Sequence, residues 1–222
     1  MSSTPLSKDD YETERPPVAL ALFDYAPVIA TAAAHYCLWQ LSSPEQSTYW
    51  SAATSFVLVF LAGLSKATWK TIHAFSGAHY QWMSDFLFVG LPLGLAGMAG
   101  FLYDMWAGPN SKTLLIYLPL IITLPFYGLC FTLRHKLTKW FLPMILPVTL
   151  STIAQGSFAF LYANKLGLGT IAWCFIASIF VSIVTSALSR KAKSFAVQWV
   201  MEISNTVAGL LLLLPALALH NL

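Results

Sequence analysis

The stretch that decides the fold is QWVMEISNTVAGLLLLLPALAL, residues 198–219. Its second half is purely apolar, and as an α-helix the whole stretch is long enough to cross a bilayer, which takes about 20 residues. Its first half nevertheless carries Gln198, Glu202 and Asn205, which share one helical face. A carboxylate facing lipid costs at least about 3 kcal/mol. This face must therefore point into the protein, where Glu202 is paired, hydrated or protonated.

The rest of the chain has the same membrane character. Apolar residues make up 57% of the 222 residues and charged residues only 9%, against about 25% charged in soluble domains. Seven apolar segments occur, at 23–41, 50–69, 86–106, 114–133, 140–162, 168–189 and 197–219. Most connections are short, which favours antiparallel neighbours. We therefore predict an all-α polytopic membrane protein, a seven-helix antiparallel bundle over 23–222 behind a disordered cytoplasmic tail at 1–22.

Lysine and arginine residues are divided unevenly between the two sides of the predicted bundle. One side holds ten of them: Lys8, Arg15, Lys66, Lys70, Arg134, Lys136, Lys139, Arg190, Lys191 and Lys193. The other side holds Lys112 and Lys165. The positive-inside rule then predicts a cytoplasmic N-terminus and a non-cytoplasmic C-terminus. The membrane is the plasma (inner) membrane if the source is bacterial.

Two segments carry rows of small residues at helical spacing. The third has Gly90, Gly94 and Gly97, and the sixth has Ser178, Ser182, Thr185 and Ser189. Such rows allow helix backbones to approach closely. We predict that both rows pack against other helices, with a glycine row lining a pore as the alternative.

Charged residues of four predicted helices lie at a similar depth on the basic side. Glu202 lies about one turn inside the last helix, and Lys66 lies about one turn inside the second. Asp24 opens the first helix and Asp85 opens the third. If these groups converge, they form a polar pocket open to the cytoplasm. The candidate catalytic residues are Glu202 and Asp85, and the candidate ligand-binding residues are Asn205, Lys66, Lys70, His73, Asp24, Gln198 and Gln155.

Each of these residues also has a purely structural interpretation. The two lysines of the second helix can extend to the headgroups, and the two aspartates can cap helix N-termini. Glu202 can be a structural ion-pair partner. Gln155 is expected to hydrogen-bond a neighbouring helix near mid-membrane, and His35 is expected at the outer interface.

Two known groups of membrane proteins resemble this sequence in part. EISNTVAGLLLLL, residues 202–214, resembles the last helix of microbial rhodopsins, and SDFLFVGLPL, residues 84–93, resembles their third. In rhodopsins the retinal lysine follows the acid by four residues; Thr206 stands there, so no Schiff base can form. Hydrolases of the adiponectin-receptor and ceramidase type are similar in size and helix count. Their zinc needs an HxxxH in the last helix, which here holds only His220. The sequence therefore indicates no metal and no cofactor.

Three classes of function fit these features. The first is binding, with or without chemical processing, of a lipid-like or terpenoid ligand. The second is a small-solute or proton-coupled transporter or channel. The third is a non-catalytic receptor-like protein, or an opsin-like protein without the retinal lysine. Whether the chain is an enzyme stays open. The expected partners are membrane lipid, a hydrophobic or amphipathic small molecule and a second copy in a homo-oligomer, with no nucleic acid.

Overall fold

The structure of the protein is a computed structural model that describes residues 15–46, 48–108, 113–133, 141–189 and 194–222. Most of the predicted tail lies outside these residues. So do eight of the basic residues behind the predicted orientation: Lys8, Lys112, Arg134, Lys136, Lys139, Arg190, Lys191 and Lys193.

The described residues form seven α-helices, which confirms the predicted all-α bundle. They are α1 (Val18–Trp39), α2 (Tyr49–Ser76), α3 (Gln81–Ala107), α4 (Thr113–Leu133), α5 (Phe141–Lys165), α6 (Gly169–Ser189) and α7 (Phe195–His220). Among the described residues, six helices contain stretches long and apolar enough to cross a membrane, namely α1, α2, α3, α5, α6 and α7.

Several helix ends differ from the predicted limits because local signals outweigh hydropathy. The second helix continues past 69 to Ser76, where Gly77 takes a left-handed φ of 73° and donates its N–H to the carbonyl of His73. The first helix begins already at Val18 and is interrupted once, at Asp24. Pro27 explains this interruption, since it has no N–H to donate to the carbonyl of Phe23.

Six of the seven helices form a ring, and one helix lies outside it. The neighbours around the ring are α1, α2, α3, α5, α6 and α7, with α7 returning to α1. The remaining helix, α4, packs against α3 and α5 from outside. As a result, α1 and α5 face each other across the middle of the ring.

Small residues set the closest helix contacts. A Cβ atom added at Gly94 would lie 2.7 Å from Val59 Cγ2 and 2.9 Å from the Ser55 carbonyl oxygen of α2. Gly90 and Gly97 face the same helix. The predicted packing of the glycine row is therefore confirmed, and its partner is α2. Gly209 of α7 similarly lies against α1.

The two ends of the ring are filled differently. We call the end at which α1 begins the basic end. The opposite half is packed by a cluster of buried apolar side chains: Ala34, Cys37, Leu38, Ala52, Met98, Phe101, Leu102, Ala159, Ala163, Ala172, Phe175, Leu212, Ala216 and Leu219. The half towards the basic end contains a cavity, and the candidate site lies there.

Candidate functional site

A cavity of about 550 Å³ lies inside the ring and is bordered by all six of its helices. At the basic end the cavity is bordered by several residues that are exposed or half-buried, namely Gln81, Asp85 and Lys66. At its other end they are buried, as are His35 and Gln155. The cavity therefore has a mouth at the basic end and a closed floor in the middle of the bundle.

A cluster of buried charges lies beside the mouth. Lys70 of α2 is at its centre, because its Nζ lies 2.8 Å from Asp24 Oδ1 and 3.3 Å from Glu202 Oε1. Lys66 Nζ lies 3.8 Å from the same Glu202 oxygen. The three helices α1, α2 and α7 are thus joined by ion pairs below their ends. The carboxylate of Glu202, in the polar half of α7, is therefore paired with cations rather than exposed to lipid.

The amide of Asn205 completes the coordination of Glu202. Its Nδ2 donates to Glu202 Oε2 at 3.3 Å, one helical turn away. Glu202 and Asn205 both border the cavity. The carboxylate therefore accepts hydrogen bonds from Lys70 and Asn205, with Lys66 close by as a second cation.

Asp24 has one oxygen in the cluster and one without a partner. Its carboxylate is only 3% exposed, and Oδ2 makes no hydrogen bond with any described group. Asp24 makes no side-chain capping bond either. Because a buried acceptor without a donor is costly, this oxygen is suited to a donor in the adjoining cavity.

Asp85 borders the same cavity from α3 but does not cap that helix. The helix begins at Gln81, whose Nε2 donates to Asp85 Oδ1 at 2.9 Å. The interpretation of Asp85 as an N-cap is therefore wrong. Lys70 is only 8% exposed, so the interpretation that its side chain extends to the headgroups is wrong as well.

Three predicted ligand-binding residues do not border the cavity. One is Lys70, whose ammonium group pairs with Asp24 and Glu202 beside the mouth. His73 is buried beside Trp69, and their rings stack with centroids 6.2 Å apart. Gln198 is half-buried one turn before Glu202. The structure brings together Asp24, Lys66, Lys70, Glu202 and Asn205. It also places Asp85 at the mouth and Gln155 at the floor of the same cavity.

The floor of the cavity is a hydrogen-bonded pair that crosses the ring. His35 Nε2 of α1 lies 3.1 Å from Gln155 Nε2 and 3.3 Å from Gln155 Oε1 of α5. Both side chains are almost completely buried, at 0% and 2% exposed. The expected interfacial position of His35 is therefore wrong. The expected hydrogen bond of Gln155 is confirmed, but its partner lies on the opposite helix.

Hydroxyl groups of α6 form part of the wall, which the sequence-based prediction missed. Ser178, Ser182 and Thr185 border the cavity. Ser178 also donates to the carbonyl of Ala208 at 2.8 Å, so it contributes to helix packing too. The Ser/Thr spacing of α6 is visible in the sequence, but it is equally compatible with helix packing and with a polar cavity wall. The side chain of Ser189 lies outside the described residues.

Comparison with protein-family models, with curated proteins and with solved structures finds no match to this chain. Within the described ranges, no group of three or more His, Cys, Asp or Glu side chains is arranged to hold a metal ion.

Proposed function

We propose that this protein binds an amphipathic, lipid-like molecule in the cavity, with the polar head at the mouth and the apolar body along the wall. The supporting observation is the division of the cavity surface. Charged groups border its mouth, whereas Leu87, Leu91, Val148 and Ile179 border its wall together with the hydroxyl groups of α6. A volume of about 550 Å³ lies within the range of about 300–1,000 Å³ found for small-molecule sites.

The charges at the mouth favour a cationic head, such as a primary ammonium group. Three carboxylates border the cavity, those of Asp24, Asp85 and Glu202, together with the ammonium group of Lys66. The ammonium group of Lys70 is a second cation, which lies behind Asp24 and Glu202 and does not itself border the cavity. Among the described residues one carboxylate is left in excess, and Asp24 Oδ2 has no donor there. An ammonium group supplies both the charge and the donors that this mouth needs.

Binding is better supported than transport or catalysis. Transport would need a polar path between the two ends of the bundle, but the half beyond His35 is filled by apolar side chains. Catalysis by Glu202 as a base would need a carboxylate free to take a proton. Glu202 instead already accepts from Lys70 and Asn205 and lies beside Lys66, so its oxygens are engaged by groups of the protein.

The proposal is tested by filling the cavity. Ser182 borders the cavity, so Ser182→Phe should block it. The binding of radiolabelled dodecylamine is measured on protein in nanodiscs, with empty nanodiscs subtracting the probe that partitions into lipid. Ser182→Phe is expected to lower binding at least about tenfold, because overpacking leaves no room for an alkyl chain.

The matched control is Ile183→Phe. Ile183 is the adjacent residue of α6 and is 39% exposed, so the same aromatic ring is added outside the cavity. It is expected to leave binding unchanged. Equal binding by the wild type, Ser182→Phe and Ile183→Phe proteins would refute the cavity as the binding site, and absence of binding by the wild type would refute the proposed ligand class.

A further inference from the structure

The floor of the cavity contains polar groups whose hydrogen-bonding capacity is not used up within the protein. His35 and Gln155 meet there across the ring, and Ser178 borders the same cavity. All three side chains are buried. Apolar residues surround the floor on its far side. A floor made only to separate the two halves of the bundle would need no such groups.

The hydrogen positions at the floor follow from the contacts. His35 Nδ1 lies 2.9 Å from the carbonyl oxygen of Thr31. A carbonyl can only accept, so Nδ1 carries the proton. Within the described residues His35 has no carboxylate partner, and an unpaired buried charge is costly, so the ring is neutral. Nε2 is then an acceptor and binds the Gln155 Nε2–H at 3.1 Å.

This assignment leaves Gln155 Oε1 without a donor among the described groups. The atom lies 3.3 Å from His35 Nε2, but that nitrogen carries no proton to give. Ser178 donates its only hydroxyl proton to the Ala208 carbonyl, so its oxygen can also only accept. The floor therefore presents buried acceptors to the cavity, and a buried acceptor left without a donor costs about 1–3 kcal/mol.

We propose that the floor is a binding subsite for a hydroxyl group carried at the buried end of the ligand. A hydroxyl donates to Gln155 Oε1, the acceptor that the protein leaves without a donor. An unsubstituted alkyl end would displace water from these acceptors without replacing its hydrogen bonds. The inference rests on the proposed function and specifies its ligand as an amphiphile that is polar at both ends.

The dimensions of the site set the length of this ligand. Asp24 at the mouth and His35 at the floor are both in α1, eleven residues apart, which is about 16 Å along a helix. The matched probes are therefore dodecylamine and its ω-hydroxy derivative. Their alkyl chains are comparable in length to this distance, and the two probes differ only in the terminal hydroxyl.

The experiment compares the affinities of the two probes for the wild-type protein in nanodiscs, each corrected with empty nanodiscs for its partition into lipid. The hydroxylated probe is expected to bind at least about fivefold more tightly. Equal affinities would overturn the hydroxyl subsite and leave the proposed function intact. Failure of both probes to bind would overturn the proposed function together with the subsite.

Two variants locate the preference in the floor. Gln155→Leu removes the acceptor and is expected to abolish the preference for the hydroxylated probe, so that the two probes bind this variant with equal affinity. Gln198→Leu makes the same chemical change on α7, at a half-buried residue that does not border the cavity, and is expected to keep it. A preference that persists in Gln155→Leu would refute the assignment to this residue. If Gln155→Leu does not fold, the comparison in the wild type still decides the proposal.

Discussion

At the scale of single residues, the position of Lys70 decides how the buried charges are balanced. Its side chain is 10% exposed and lies between two carboxylates that are 3% and 5% exposed. Coulombic attraction inside a protein offsets the loss of hydration only when such groups are paired closely. The lysine is therefore more important for stability than either carboxylate considered alone.

Replacement of Lys70 should be the most destabilising single change in this cluster. Lys70→Met leaves Asp24 and Glu202 buried without their nearest cation, and we expect a loss of about 3–5 kcal/mol in the free energy of unfolding. Denaturation of the purified protein with SDS in mixed micelles measures it. Lys66→Met is the control, because the Lys66 side chain is 32% exposed and 3.8 Å from Glu202, and should cost about 1 kcal/mol or less. Equal losses in the two variants would mean that water, not Lys70, compensates the carboxylates.

Asp85 offers a separate test of charge at the mouth. It borders the cavity without taking part in the ion pairs of Lys70, so Asp85→Asn removes the excess negative charge while the cluster stays intact. We expect dodecylamine to bind about threefold to tenfold more weakly, since a partly exposed charge contributes about 1 kcal/mol. Asp104→Asn, near the opposite end of the same helix, should have no effect on binding. An unchanged affinity in Asp85→Asn would mean that the head does not depend on this carboxylate.

At the scale of the helices, close packing between α2 and α3 depends on the absence of side chains at one row of positions. Gly94→Leu forces a side chain into Val59 and the backbone carbonyl of Ser55. A backbone group cannot move aside as the end of a flexible side chain can. We expect a loss of about 1–3 kcal/mol or more in the free energy of unfolding. Gly128→Leu in α4 is the matched control, because no heavy atom of the described residues lies within 4 Å of a Cβ added there. Unchanged stability in Gly94→Leu would contradict the close contact.

The helices themselves could be predicted from the sequence, whereas their order around the ring could not. Long apolar runs must satisfy their backbone groups internally, so they become helices, and shared depth was enough to bring Lys66 towards Glu202. The pair of His35 and Gln155 depends on α1 and α5 facing each other, and short connections do not determine that. Whether Lys70 or Lys66 is the central cation depends on the direction of each side chain. Residues one helical turn apart differ in that direction, and the sequence does not show the difference.

At the scale of the whole molecule, one half of the bundle is hollow and the other half is packed. This asymmetry is related to the distribution of charge, because every ion pair of the buried cluster lies in the hollow half and the apolar core lies in the other. The positive-inside rule predicts that the hollow half faces the cytoplasm. The mouth would then take its ligand from the cytoplasmic side of the membrane.

Cysteine accessibility tests this orientation and the closed floor together. In a protein whose native cysteines are replaced by alanine, Ser84→Cys lies on the cavity surface and Asn221→Cys lies exposed at the opposite end. A membrane-impermeant maleimide should label Ser84→Cys in inside-out vesicles and Asn221→Cys in right-side-out vesicles. Ala99→Cys, a position with 0% exposure, should react in neither. Labelling of Asn221→Cys in inside-out vesicles would reverse the predicted topology. Labelling of Ser84→Cys from both sides would mean that the floor at His35 and Gln155 opens, and transport would then replace binding as the better account of the cavity.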